Sequence, residues 1–281
     1  MKHLRSLRDN KFNQELKMKI ATWNVNSIRT RKDQVWQWLQ TNEIDILCLQ
    51  ETKVIDKDFP RSGFEELGYN IYIYGQKAYN GVAIFSKTPL DAVHFGFSDI
   101  LNTEPSQNFD EQKRVLTGII NGIAIVNLYV PNGSSIDSDK YNYKLNWLNH
   151  LKDYLKLLLT QTEKICICGD FNIALEDIDI HNPKGRENHI MASDAERQAL
   201  QSILELGFKD GFRKFTPEGG HFSWWDYRQA SFRRNTGWRI DTHYLTLPLH
   251  EVASSSIIDK TPRTWEQPSD HTPVILTVEM P

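Results

Sequence analysis

No apolar stretch in this 281-residue chain approaches the roughly 18–20 residues that span a bilayer. The longest candidates are short runs such as 44–49 and 274–278, so a membrane-spanning helix is excluded and no membrane partner is expected. The first seventeen residues are polar and basic and lack the apolar core of a secretory signal. Cysteine is scarce: Cys48, Cys166 and Cys168 are an odd number set on apolar runs. That usage fits buried thiols in a reducing compartment, and a cytoplasmic location is expected rather than a disulfide framework. No Cys or His partner accompanies them at finger spacing, which disfavours zinc. There is no internal repeat, no low-complexity tract and no Pro/Gly/Ser-rich linker. One continuous domain over residues 18–281 is the simplest organisation, with residues 1–17 expected to be a disordered, dispensable extension. Net charge is also small, at −3, so no field of one sign covers the molecule.

What is present is a globular composition, 40% apolar, 25% charged and 11% aromatic. A strand begins at Met18 and runs through Val25, followed by a short helix with Val35, Trp36 and Leu39 on its apolar face. Residues 44–49 read as a buried strand, 69–74 alternate, and 82–85 are apolar. Two apolar runs, 115–120 and 123–130, are joined by Asn121-Gly122, a strong hairpin signal. A long amphipathic helix carries Leu148, Leu151, Leu155 and Leu158, and a strand follows at 165–168. Ser193-Asp194-Ala195-Glu196 forms a capping box before a helix that Gly207 stops. Strands are expected again at 222–225, 238–245, 251–257 and 274–278. Many strands, few helices and a hairpin do not make a regular βαβ alternation, so layered sheets with outer helices fit better than a doubly wound nucleotide-binding fold.

Polar residues close several of these strands: Asn24, Gln50-Glu51-Thr52, Tyr129, Asp170 with Asn172, Asp241, and Ser269-Asp270-His271. One acid at a strand end is ordinary turn chemistry, but six such positions together mark a candidate site. Glu51, Asp170 and Asp270 with Asn24 and Asn172 make a hard-oxygen set suited to Mg2+ or Mn2+. Asp241 can orient His271 and fix its tautomer. Local charge is as uneven as the net charge is small. Arg228, Arg233, Arg234 and Arg239 lie within twelve residues with no acid between them and with Phe232 and Trp238 interleaved, and Arg29-Thr30-Arg31-Lys32 is a second basic run. Either is a solvated face or a phosphate-contacting surface.

Nine ordered strings carry a family resemblance: Thr22-Trp23-Asn24-Val25-Asn26-Ser27, Leu49-Gln50-Glu51-Thr52-Lys53, Gly75-Gln76-Lys77, Gly81-Val82-Ala83, Tyr129-Val130-Pro131-Asn132-Gly133, Gly169-Asp170-Phe171-Asn172, Trp224-Trp225-Asp226-Tyr227-Arg228, Gly237-Trp238-Arg239-Ile240-Asp241 and Pro268-Ser269-Asp270-His271. Together they resemble exonuclease III, the bacterial-type apurinic/apyrimidinic endonuclease family, over residues 18–278. The resemblance implies a four-layered α/β sandwich: two mostly antiparallel, mixed sheets packed face to face with helices outside. It implies a DNA-repair nuclease, an Mg2+-dependent hydrolase for which Mn2+ can substitute. Its expected activities are cleavage 5′ to abasic sites in double-stranded DNA, 3′→5′ exonuclease action and 3′-phosphatase or 3′-end cleaning, by a monomer.

By the same resemblance, Glu51 is the principal metal ligand with Asn24 and Asp270 beside it, and Asp170 is the base for the attacking water. Asn172 and Tyr129 hold the scissile phosphate, and Asp241 orients His271 onto it. Arg29, Lys77, Asn132, Arg228, Arg233 and Arg234 are implied DNA contacts. Trp224, Trp238 and Ile240 are implied walls of a small apolar pocket for the flipped-out abasic sugar. Two positions depart from the family pattern. His243 shares a strand face with Asp241 and either lies near the site or fills a gap between strands. Leu175 stands where proline is common. The nearest competing enzymes are non-specific DNases and phosphoinositide or sphingolipid phosphodiesterases of the same fold group, against which the 224–228 and 238–241 strings speak. A non-catalytic nucleic-acid-binding module has no need for Glu51, Asp170, Asn172, Asp241 and His271 together.

Overall fold

The computed structural model describes residues 16–186 and 189–280. Its first half runs β1 (Leu16–Asn24), α1 (Ile28–Thr41), β2 (Ile46–Gln50), α2 (Ser62–Glu66), β3 (Asn70–Tyr74), β4 (Val82–Ser86), β5 (Ala92–Phe95), α3 (Ser98–Leu101), α4 (Glu104–Asp110), β6 (Val115–Ile120) and β7 (Ile123–Tyr129). The second half runs α5 (Asp139–Leu158), β8 (Ile165–Asp170), α6 (Asp194–Leu204), β9 (Phe208–Asp210), β10 (Asp241–Thr246), α7 (Leu247–Val252), β11 (Ala253–Ile258) and β12 (Val274–Met280). Of the expected extension, residues 1–15 lie outside the described residues. Leu16 and Lys17 pair with Met280 and Glu279 in β12, so β1 already includes two residues before Met18.

The strands form two six-stranded sheets, ordered β11-β12-β1-β2-β4-β3 and β5-β6-β7-β8-β10-β9. Each holds one parallel pair, β1/β2 in the first and β7/β8 in the second, and every other pairing is antiparallel. A crossover of parallel strands requires a helix, and α1 and α5 supply the two. Ile20, Ile46, Ile84, Ile125, Cys166 and Leu276 fill the space between the sheets. Trp23, Val35, Trp38 and Leu47 pack outside the first sheet, and Leu128, Leu148, Leu151 and Ile167 outside the second. The result is helix, sheet, sheet, helix, the expected four-layered sandwich.

Local chemistry explains several elements. At the β6–β7 hairpin Asn121 (φ 51°) and Gly122 (φ 74°) both take the left-handed backbone that a two-residue I′ turn demands. The Ser193/Glu196 capping box forms with both reciprocal bonds. On α1 the buried face is Ile28, Val35, Trp38 and Leu39, while Trp36 is 38% exposed. The core aromatic is therefore Trp38 and not Trp36, and it meets Trp23 edge-on at 5.6 Å. The stretch 222–225 makes only isolated bridges, from Trp224 to Trp238 and to His271. All three cysteines are free and buried. His243 is buried opposite Cys168 and fills space between the sheets. No helix among the described residues is long and apolar enough to cross a membrane.

Candidate active site

The two parallel strand pairs end at the same edge of the sandwich. Asn24 closes β1 beside Gln50 of β2, and Tyr129 closes β7 beside Asp170 of β8. Antiparallel β10 sets Asp241 opposite Asp170. Just past these ends the backbone turns left-handed at Asn26 (φ 43°), Ser27 (φ 90°), Glu51 (φ 51°), Lys53 (φ 54°) and Asn172 (φ 49°). Such conformations are disfavoured for residues bearing a Cβ and gather where surrounding structure imposes them. Gly169 makes the approach of β8 to β7 possible, because a Cβ there would lie 1.9 Å from the Leu128 carbonyl oxygen.

Glu51 and Asp170 face each other across Asn24, whose Nδ2 donates to Glu51 Oε1 (2.8 Å) and Asp170 Oδ2 (2.9 Å). His271 Nε2 lies 3.7 Å from Asp170 Oδ2, and its Nδ1 lies 2.9 Å from Asp241 Oδ2. Ser223 Oγ donates to that same Asp241 oxygen at 2.7 Å. Lys53 Nζ pairs with Glu51 Oε2 at 2.8 Å and donates to Asn26 Oδ1 at 2.6 Å. Asp270 lies to one side, accepting from Asn26 Nδ2 (3.1 Å) and Trp224 Nε1 (3.0 Å).

The electrostatics follow from this crowding. Burial, with repulsion from Asp241 and Glu51, outweighs the pull of His271 and Asn24 and raises the Asp170 pKa to about 7. Burial opposes charge on His271, but Asp241, Asp170 and Asp270 prevail and raise it to about 10, so it is an imidazolium at neutral pH. Burial would raise Glu51 too, yet Lys53, Asn24 and His271 hold it below the usual carboxylate range. Burial, together with the Glu51 carboxylate, pushes the Tyr129 phenol well up. Arg114 stacks 4.5 Å over the Tyr129 ring and donates from Nη1 to its carbonyl.

The donor set fits a hard divalent cation. Ligand atoms of Glu51, Asp170 and His271 lie within 4.8 Å of one another. Across the site, carboxylates of Glu51, Asp170, Asp241 and Asp270 gather around His271 and Lys53, with Arg114, Lys144 and Arg263 acting on them from further out. Protonated and committed to Asp241, His271 offers a cation no lone pair. Asn24 turns its amide nitrogen to the acids. Asn172 donates from Nδ2 to Val130 O and Asp170 Oδ2, while its Oδ1 accepts from Asn132 Nδ2 at 3.0 Å. Glu51 and Asp170 are thus the oxygens that converge, with Asp270, Asn24 and Asn172 arranged around them.

Beside the acids opens a cavity of about 560 Å³. Trp224 and Trp238 line it as expected, but Ile240 does not: it is 1% exposed and packs behind them with Ala174 and Ile180. Asn132, Arg186, Asp226, Arg228 and Arg234 share the wall, three cations to one acid, so the cavity is large and cationic where a small apolar one was expected. Arg29, Lys77, Asn132, Arg233 and Arg234 are exposed on the surface. Arg228 is exposed too, but Asp226 holds it in a fork of bonds down to 2.6 Å. Arg239 leaves the basic run altogether, being buried against Asp179 and Asp210.

Sequence reasoning did not single out Lys53, Arg114, Lys144, Ser223, His181 or His189. A signal existed for Lys144, a lysine on the otherwise apolar stripe Tyr141, Leu148, Leu151, Leu155, Leu158 of α5.

Residues 21–271 match the family described as Endonuclease/Exonuclease/phosphatase. An exodeoxyribonuclease of Bacillus subtilis is 34% identical over 268 residues, covering 94% of this chain and all of that protein. The structure of an AP endonuclease from Archaeoglobus fulgidus superposes with a TM-score of 0.87 at 42% identity, over 94% of this chain and all of that one. A 3′ phosphatase from Neisseria, bound to a product DNA hairpin, superposes with a TM-score of 0.88 at 37% identity, again over 94% and 100%.

Proposed function

The chain belongs to the endonuclease/exonuclease/phosphatase family, and from that premise we propose that it is a DNA-repair nuclease. It hydrolyses the phosphodiester 5′ to abasic sites in double-stranded DNA and acts on 3′ ends as a 3′→5′ exonuclease and 3′-phosphatase. The observation that carries this reading is the pairing of Asp170, poised at about 7, with the imidazolium of His271 3.7 Å away. A phosphodiester repels nucleophiles by its charge, so a base beside a fixed cation is what its hydrolysis needs.

In this mechanism Asp170 accepts the proton of the attacking water as its oxygen bonds to phosphorus; the P–O3′ bond breaks, and the departing 3′ oxygen takes a proton from solvent to become the 3′-hydroxyl. His271, aimed by Asp241, donates a hydrogen bond to a non-bridging phosphate oxygen. The Tyr129 hydroxyl stays protonated and donates to the phosphate, and Asn172 and Asn132 position it. Glu51 and Asp170, with Asp270 near, would hold Mg2+, which supplies charge neutralisation and orients the phosphate for in-line attack. The cationic cavity beside Trp224 and Trp238 is ample for a terminal nucleotide as well as a bare sugar, which supports 3′-end activity alongside abasic incision.

The test is incubation of purified protein with a labelled duplex carrying one abasic analogue, with Mg2+ and with EDTA. An intact duplex, a 3′-phosphorylated end and a phospholipid run beside it. Metal-dependent incision at the lesion is expected. Hydrolysis of lipid alone, or of intact DNA without preference for the lesion or the 3′ end, would overturn the reading.

A further inference from the structure

The side chain of Lys144 is completely buried in the middle of α5. An ammonium in such a place must fill all three of its donor positions, and each has an acceptor: Glu196 Oε1 at 2.5 Å, the Asn172 carbonyl at 2.7 Å and the Asn132 carbonyl at 3.2 Å. Glu196 is equally engaged, accepting from the backbone nitrogens of Met191 and Ser193 and from Ser193 Oγ. Two loops of the candidate site and one edge of the adjoining cavity therefore meet at a single ion pair.

Stability alone does not account for this arrangement. A buried ion pair is commonly no more stabilising than apolar side chains of the same volume, and the need to fill three donors does not dictate that two of them go to these particular backbones. The other two donors are spent on the backbones of Asn172, whose amide lies beside Asp170, and of Asn132, whose amide donates to the Asn172 side chain. Asn172 holds a left-handed backbone (φ 49°), and Asn132 Nδ2 donates to its side chain.

We propose that Lys144 is a positioning residue for phosphodiester hydrolysis. Its ammonium locks the Asn132 and Asn172 backbones, and through Glu196 the 191–193 edge of the cavity, into one body. It acts on turnover, not on affinity, because the two asparagines it holds position the reacting phosphate, while the exposed arginines Arg29, Arg233 and Arg234 do not depend on it. This inference rests on the hydrolytic reading above. Incision by the unaltered protein is the control: its absence would overturn that reading, whereas the variants below decide the role of Lys144.

The decisive experiment measures kcat, KM and melting midpoint of the full chain on the abasic duplex. In the double variant Lys144→Met/Glu196→Met the pair is replaced by apolar side chains of similar length. It is expected to fold with a lowered melting midpoint, because the Met191 and Ser193 donors and both asparagine carbonyls lose their partners. It is expected to keep its KM, while kcat assayed well below that midpoint falls about 10²-fold, the scale of a misplacement of about 1 Å. Lys144→Arg, which keeps charge and donors, is expected to recover most of the turnover. A folded double variant with normal kcat, or a loss confined to KM, would overturn the proposal. If the double variant does not fold, Lys144→Gln and Glu196→Gln, assayed well below their melting midpoints, decide instead. Lys144→Gln is expected to lose turnover, and Glu196→Gln, which leaves both carbonyl contacts in place, to keep most of it. Equal losses in the two would mean that the pair only supports the fold.

Discussion

Arg239 and Asp241 are two residues apart on the chain, and both are buried, yet they belong to opposite kinds of charge cluster. Arg239 joins Arg213, Asp179 and Asp210, two cations against two acids. Its Nε and Nη2 reach Asp179 and Asp210 at 2.7 Å, and Arg213 also donates to Asp179. Phe212 lies against both guanidinium groups. Charge there is cancelled and every carboxylate is paired. Asp241 joins Asp170, Glu51, Asp270 and His271, where acids outnumber cations and Asp170 is pushed up to about 7. Balance makes a brace, whereas an imbalance held in place by the fold leaves groups ready to exchange protons and bind a cation.

The sharpest way to break that contrast is Asp170→Asn. It is expected to cut turnover by about 10²–10⁴-fold, the usual worth of a positioned proton acceptor. Stability should respond in the opposite sense. Because Asp170 has a raised pKa, its contribution is full below the unfolded value near 4 and is lost as pH rises through about 7. At pH 8 the neutral amide removes that penalty, so calorimetry should find the variant at least as stable as the parent. A destabilised Asp170→Asn would place Asp170 among the braces.

Arg239→Met tests the other cluster. It leaves Asp179 and Asp210 with one cation between them, and the expected loss is about 3–5 kcal/mol of stability, read by denaturant unfolding. The folded fraction should retain its turnover per molecule. Next in size is Asp241→Asn, which removes the strongest support for protonated His271. His271 has a raised pKa, so its contribution is full below about 6.5 and disappears as pH passes about 10. In the metal-free parent, NMR titration should show limbs near 7 and near 10, as macroscopic values of the coupled groups. In Asp241→Asn the alkaline limb should move to lower pH; an unmoved limb would detach His271 from it. The smallest effect belongs to the exposed arginines. Arg233→Ala and Arg234→Ala should each weaken DNA binding across all sequences and reduce the slope of log K against log salt by about 1, with kcat unchanged.

Much of the sandwich was legible from local patterns. Asn121-Gly122 marked the hairpin, the Ser193/Glu196 box marked a helix start, and apolar spacing marked α5. Errors fell where one pattern allows two answers. Trp36 and Trp38 both lie near the apolar stripe of α1, and packing against Trp23 chose Trp38. The stretch 222–225 has strand composition but finds only isolated bridges. Of the site, the acids and His271 were visible as polar residues at strand ends, and the structure brings Asn24, Glu51, Asp170, Asp241 and His271 together. Ile240 is a pocket wall by family resemblance alone, yet it packs behind the tryptophans.

By itself, then, the sequence determined the main strands and helices, the β6–β7 hairpin and the residue types that close the strands, since periodicity, turn chemistry and capping act over a few residues. Only the tertiary structure decided that Asp170 sits near 7, that Arg239 is a brace and Arg234 lines the cavity, and that Lys144 ties Asn132 to Asn172. Those properties depend on burial and on distances between residues tens to hundreds of positions apart. Coulombic and desolvation effects change steeply with both, and neither is written in local sequence.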